Sequence, residues 1–419
     1  MTSSVRLVPA ETLGLKPRMG IARLTKLAFD GEDLNAIWAD LVPKLKADNC
    51  DVDTAMDLSV VAQLVGQQEL GLQLQREAVG VRALYRSPCT ARNPRLRILA
   101  FGAATDIGGN TPLEFLLEGS GIEIYTLYVV PGQPLPEELP DHDVAFVIVP
   151  YSDETRATLD EIQAVLHNWP RPLINLPRKV ADLERDRLHK LLVGAPGIEI
   201  PATARVDRDD LDDVIQGVSP LGELMPDAEF PLIIRPVGSQ AGRGLERLED
   251  LKALAAYLDG CEDGDFFLSR YVDYASDNGQ FRKYRVSFVD GRPYACHMAV
   301  ADQWKLWYLN AEMDTSAEKR DEEARFMRDF DTDFALRHDT ALNEIVRRTG
   351  LDYFAIDCAE TRDGKLLIFE ADIAMIVHNM DPPTIFPYKA PQMRKIFAAV
   401  ADMIERRAGT APDSRVKAA

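Results

Sequence analysis

Three carboxylates stand where carboxylates are costly. The stretch "DYFAIDCAETRDGKLLIFEAD", residues 352–372, sets Asp357, Glu370 and Asp372 into apolar runs that read as buried strands on either side of the turn "TRDGK". Residues two apart in a strand face the same side, so Glu370 and Asp372 point together, and a hairpin at Asp363-Gly364 brings Asp357 opposite them. Acids sharing so small a volume require a compensating charge. A hard divalent cation such as Mg²⁺, which takes one or two carboxylates together with phosphate oxygens, would supply it. Taken alone, the segment also fits three acids at strand ends on a solvated face.

A second stretch points to an anion. Arg235 ends the apolar strand in "PLIIRPVGSQAGRG", and Gly238, Gly242 and Gly244 follow in a loop where backbone amides can approach a phosphate closely. No lysine or hydroxyl follows the last glycine, so this is not the GxxxxGK[ST] phosphate loop. A plain hairpin loop is the other reading. His378 and Asn379 in "AMIVHNMDPP" follow the carboxylate strand; His378 is either a base, given its titration range, or a polar loop residue. Cys358 should point away from Asp357, into the core.

These residues need a scaffold, and the chain supplies one in three parts. Residues 1–90 contain no convincing strand. "DLNAIWADLVPKL" carries an apolar helical stripe, and "MDLSVVAQLVGQQELGLQLQREAV" reads as two helices broken near Gly66. This region is either a platform that docks a protein partner or a cap on the rest. Residues 95–175 alternate strands ("LRILAFGA", "IEIYTLYVV", "HDVAFVIVP", "PLIN") with helices, which predicts a Rossmann-like parallel sheet. The loop "GAATDIGGN" at its carboxyl edge is either a tight turn or a substrate contact. Asn110 or Thr111 is expected to cap the next helix. Residues 176–410 form the third part, with a hairpin at "VDGRP" and a charged stretch, 313–339, that reads as a solvated helical insertion. The fold class is α/β with an added α+β unit.

Composition narrows the function. The 419 residues carry a net charge of −19, which opposes any general role on nucleic acid or an anionic membrane. An anionic ligand must therefore find a local basic site. No apolar run approaches the ~20 residues of a membrane span, and the first residues lack a secretory pattern, so a cytoplasmic location is the expectation. Five scattered cysteines without a CxxC suggest neither a disulfide framework nor a zinc site.

The parts also come in a telling order. "NLPRKVADLERDRLHKLLVGAPGIEIPATARV", "PLIIRPVGSQAGRG", "FFLSRYVD", "KYRVSFVDGRPYA", "TGLDYFAIDCAE" and "LLIFEAD" resemble, in sequence and spacing, the ATP-grasp ligases, most closely the glutathione-synthetase and ribosomal-protein glutamate ligase branch. The resemblance covers residues 170–405, and residues 95–175 match the domain that commonly precedes the grasp. It implies an ADP-forming ligase that uses ATP and Mg²⁺ to join a small-molecule carboxylate and an amine, such as an amino acid or peptide, through an acyl phosphate. It implies Arg187 as the first cationic ATP contact, Arg235 on the phosphates, and Ser239 and Gly242 in a loop over the triphosphate. Tyr271 and Val272 fall at the adenine hinge, and Arg285 at the group that steadies the transferred phosphate. Asp357, Glu370 and Asp372 fall on the metal triad. The departures are Arg270 and Lys283 where acids are usual, and Asp372 where asparagine is. Those departures suit a second reading, a nucleotide-binding scaffold with a degenerate grasp. Such ligases are frequently homo-oligomers.

Overall fold

The computed structural model describes residues 5–47, 51–226, 228–239 and 242–409. Cys50 and the loop residues Gln240 and Ala241 lie outside them. Four helices, Ile21–Phe29, Leu34–Ala47, Val52–Leu64 and Gln68–Val81, build most of the first part. Val52–Leu64 is its centre, buried at ten positions from Val52 to Ala62. Asp51 caps that helix by accepting from the Thr54 amide at 3.1 Å, and Gly66, with φ +83°, turns the chain into the next. The expected break at Gly66 is where it stands.

The expectation of no strand in residues 1–90 is corrected. Arg6–Val8 pairs in parallel with Glu138–Pro140, and Leu84–Arg86 joins the edge of the next sheet antiparallel to Ile122–Tyr128. Strands of three residues are too short to show an alternation and exist only because an edge receives them.

That next sheet runs in the order Leu84–Arg86, Ile122–Tyr128, Leu96–Gly102, Val144–Val147, Leu173–Ile174, the last four parallel. Thr111 does not cap the following helix, which is a single turn, Leu113–Leu116, entered through Pro112. Its hydroxyl instead donates at 2.9 Å to the carbonyl of Ile373, one residue beyond the carboxylate strand. Asn110 is spent on both backbone groups of Ala103, each at 2.9 Å.

Two antiparallel sheets follow. The smaller has the order Glu246–Leu248, Leu232–Pro236, Asp265–Arg270, Thr203–Asp207, with its own core under the helices Arg208–Ile215 and Leu251–Asp259. The larger has the order Arg292–Ala301, Phe281–Val289, Tyr353–Glu360, Leu366–Asp372, with Ile198–Glu199 parallel at its edge. Its core is continuous with that of the parallel sheet. The charged stretch is not merely solvated. Helix Ala317–Asp329 buries Glu323 and Met327 completely or nearly so, and Phe326, Phe330 and Phe334 pack as an aromatic column, Phe326 and Phe334 each 4.9 Å from the ring of Tyr284. Phe326 lies on that helix, Phe330 caps it and Phe334 opens the next, Phe334–Arg337, so the turn between them folds the three rings together.

Candidate active site

The larger sheet aligns four polar residues in one row. His297, Arg285, Asp357 and Glu370 are consecutive Cα partners across its four antiparallel strands. Asp372 sits two residues beyond Glu370, opposite Ala355. The sequence reading of one carboxylate-bearing face therefore holds for the backbone.

The compensating charge, however, comes from side chains. Asp357 is 1% exposed and has both oxygens engaged: Arg285 donates from Nε at 2.8 Å and from Nη2 at 3.1 Å, and Lys283 Nζ lies 2.6 Å from Oδ2. Burial alone would push this carboxyl up, yet Arg285 and Lys283 hold it well below the usual carboxylate range. Glu370 is bridged by Arg185, whose other nitrogen donates to the Phe369 carbonyl at 3.1 Å. Its carboxyl too, despite burial, is held down by that guanidinium. Asp372 has no such partner. Its Oδ1 accepts from the Ala374 amide at 2.9 Å, and burial together with Glu370 pushes its carboxyl up to about 6.

The three acids do not gather as a trio. Among the described residues no three His, Cys, Asp or Glu side chains form a set that could hold a metal ion. Asp357 and Glu370 alone remain a hard-oxygen pair in adjacent ladder positions, the number of carboxylates that Mg²⁺ takes when phosphate oxygens complete its shell. The donor chemistry fits one such ion in company with a polyphosphate, not an all-protein cage.

Arg235 stands in the strand Leu232–Pro236 of the smaller sheet. Arg185 and Glu370 are among the charges that act on it, and burial with Arg185 nearby pushes its guanidinium down to about 10. It donates to the Ser239 hydroxyl at 3.1 Å and also to the Ser239 carbonyl, fixing the start of the glycine loop. Gly242, with φ +72°, lies over Trp307, where an added Cβ would stand 3.5 Å from the ring. Lys305 Nζ, 3.1 Å from Glu246, ties the same segment of the larger unit to the smaller sheet.

Two expectations land elsewhere. Arg187 is exposed; it donates to the Tyr151 hydroxyl at 2.8 Å with its guanidinium 4.4 Å from that ring. Arg185, two residues earlier, is the one that meets Glu370. On a helix these positions differ by about 200°. Arg185 shares its stripe with buried Leu188 and Leu192, and that i, i+3, i+7 spacing is the signal that would have selected it. At the hinge, the Tyr271 amide donates to the Pro231 carbonyl at 3.3 Å, and the ring lies between Arg247 at 4.1 Å and Trp304 at 5.9 Å. Val272 packs against the Tyr274, Ala359 and Leu367 cluster. Arg270 pairs with Glu199.

Beyond the carboxylate strand, Ile373 is held by Thr111 and the Ile376 carbonyl accepts from Arg285 at 3.3 Å. His378 is half-buried there, and desolvation pushes its pKa down; its Nδ1 accepts from the Met380 amide at 3.1 Å. Behind it lies a group that sequence reasoning missed. Buried Lys389 meets Asp381 at 3.3 Å and Glu323 at 3.5 Å, while Glu323 also accepts from the Tyr388 and Tyr308 hydroxyls. Tyr308 and Glu323 lie far in sequence from Asp381, Tyr388 and Lys389, and no local pattern links the two sets.

No protein-family description matches the chain, and no curated protein matches it in sequence. Among solved structures the chain is similar to the RimK domain ATP-grasp protein of Sphaerobacter thermophilus (15% identity, 74% of this chain and 99% of that one, TM-score 0.42). It is also similar to the VanG D-Ala:D-Ser ligase of Enterococcus faecalis (15%, 75% and 99%, 0.45) and to the D-alanine–D-alanine ligase of Coxiella burnetii (10%, 74% and 97%, 0.44). Likenesses this distant assign neither a reaction nor a substrate. Among the described residues no helix is long and apolar enough to cross a membrane.

Proposed function

We propose that this protein is an ATP-dependent ligase that activates a carboxylate as an acyl phosphate and joins it to an amine, releasing ADP and phosphate. The observation that carries the reading is the pair of adjacent ion-paired groups on the larger sheet, Lys283–Asp357–Arg285 and Arg185–Glu370, with Arg235 of the smaller sheet in the field of Arg185 and Glu370. Cations there outnumber the carboxylates they pair with: Lys283 and Arg285 on buried Asp357, and Arg185 on half-buried Glu370. That is the environment a transferring phosphoryl group requires, because such catalysis is chiefly positioning and charge stabilisation. The ordered resemblance to the ATP-grasp ligases supports the same reading.

In this reading Arg235 and the amides of the loop from Gly238 to Gly244 hold the phosphates. Ser239 acts by holding Arg235 in place. Arg185 takes the role expected of Arg187. The carbonyl of Tyr271 and the backbone of Val272 face the base, since the Tyr271 amide is already bonded. Arg285 steadies the phosphoryl group as it moves, with Asp357 fixing its plane through two hydrogen bonds. Asp357 and Glu370 are the residues that would hold Mg²⁺, and Asp372 flanks them. When bound, the ion adds charge to offset that of the phosphates. The amine attacks the acyl carbon, phosphate leaves from it, and no enzyme nucleophile is required.

The test is phosphate release from ATP in the presence of paired small carboxylates and amines. Release that needs both partners, and is lost in Glu370→Gln while the protein stays folded, supports the reading. ATP binding without release under any pair would instead favour a nucleotide-binding scaffold.

A further inference from the structure

We propose that Lys283 keeps divalent metal off the Asp357–Glu370 pair until a polyphosphate arrives, so that metal and nucleotide enter the site together. The inference rests on the reading of those two carboxylates as the metal pair. Two cations converge on the single carboxylate Asp357, and Oδ2 is shared between them, with Lys283 at 2.6 Å and Arg285 at 3.1 Å. A bare divalent cation approaching Asp357 therefore meets an excess of positive charge in a poorly solvated place, where like charges repel strongly.

A metal–nucleotide complex is anionic and changes that balance. Its phosphate oxygens offer Lys283 a new partner, which frees an oxygen of Asp357. Lys283, not Arg285, is the part able to move. Its ammonium ends a flexible four-carbon stem and makes a single contact, with Asp357 Oδ2. Arg285 is held by two bonds to Asp357 and a third to the Ile376 carbonyl.

The experiment follows free Mn²⁺ by electron paramagnetic resonance during titration of the full chain, with and without a non-hydrolysable ATP analogue. Without nucleotide, Lys283→Met is expected to bind Mn²⁺ about tenfold or more tightly than wild type, the effect of removing one adjacent like charge. Lys283→Arg, which keeps the charge, should behave as wild type does. With the analogue present, wild type should take up Mn²⁺. Thermal unfolding of each variant confirms that the comparison is between folded proteins. Equal Mn²⁺ affinity of wild type and Lys283→Met without nucleotide overturns the proposal while leaving the metal pair standing if the analogue still promotes uptake. Absence of uptake in every protein, with or without analogue, removes the metal pair itself and the proposal with it.

Discussion

The ring of Phe29, at the end of an N-terminal helix, lies 6.4 Å from the ring of His378 in the loop that follows the carboxylate strand. The same helical region reaches the loop of residues 102–110, where the Gln63 side chain accepts from the Ile107 amide at 3.0 Å. These helices thus touch both the loop after the carboxylate strand and the loop at the carboxyl edge of the parallel sheet. Phe29 remains 48% exposed. Phe29→Ala is expected to change stability by no more than about 1 kcal/mol, because little of its surface is buried. It should leave nucleotide affinity unchanged. Thermal unfolding and calorimetry with ATP read the two effects separately, and a loss of ATP affinity in Phe29→Ala would bring the helix into the site.

Arg185→Ala should weaken ATP binding, and Arg187→Ala should not. Arg185 bridges Glu370 within the cationic cluster, whereas Arg187 lies on Tyr151 at the surface. Losing a charged hydrogen bond in an enclosed site costs about 1.5–3 kcal/mol, against roughly 0.5 kcal/mol for an exposed arginine. Calorimetric titration of both variants with ATP checks this. The reverse ranking would restore Arg187 to the site.

This pair also shows how far the sequence could be read. Strand alternation placed Asp357, Glu370 and Asp372 on one face correctly, because period-2 patterning survives in buried sheet. It could not say that Lys283 and Arg185 would supply the opposing charge, since ion pairing across strands and between units has no local signature. The choice of Arg187 over Arg185 followed motif spacing and overlooked the helical stripe. The charged stretch hid its aromatic column for a related reason: Phe326, Phe330 and Phe334 are few among many charges and meet only because the chain turns between two helices. Leu84–Arg86 was invisible as a strand because its stability resides in the edge at Ile122–Tyr128.

The parallel-sheet unit should lose stability in mild acid through one histidine. His142 is 3% exposed; its Nδ1 lies 2.8 Å from the Pro140 carbonyl and its Nε2 accepts from Trp169 at 3.1 Å, an arrangement that fits the neutral ring. Burial pushes its pKa down to about 4. The folded state therefore resists a proton that the unfolded chain accepts near ~6.5. The contribution is complete above that value and is lost as pH falls from about 6.5 to 4, an effect of up to about 3 kcal/mol. In His142→Asn the fall in melting temperature between pH 7 and 4.5 should be shallower than in wild type. Parallel curves would show that His142 does not titrate in this range.

The central claim is that ATP activates a carboxylate by phosphorylating it, and the fate of the carboxylate oxygen tests this most directly. With the accepted acid labelled with ¹⁸O in its carboxyl group, turnover with ATP and the amine should carry label into the inorganic phosphate released. This outcome follows from Arg235, Arg285 and the carboxylates Asp357 and Glu370 acting on a phosphoryl group in transit. Label recovered in AMP, with pyrophosphate released, would contradict the account by showing adenylation, and unlabelled phosphate would show that ATP is hydrolysed without activating the acid.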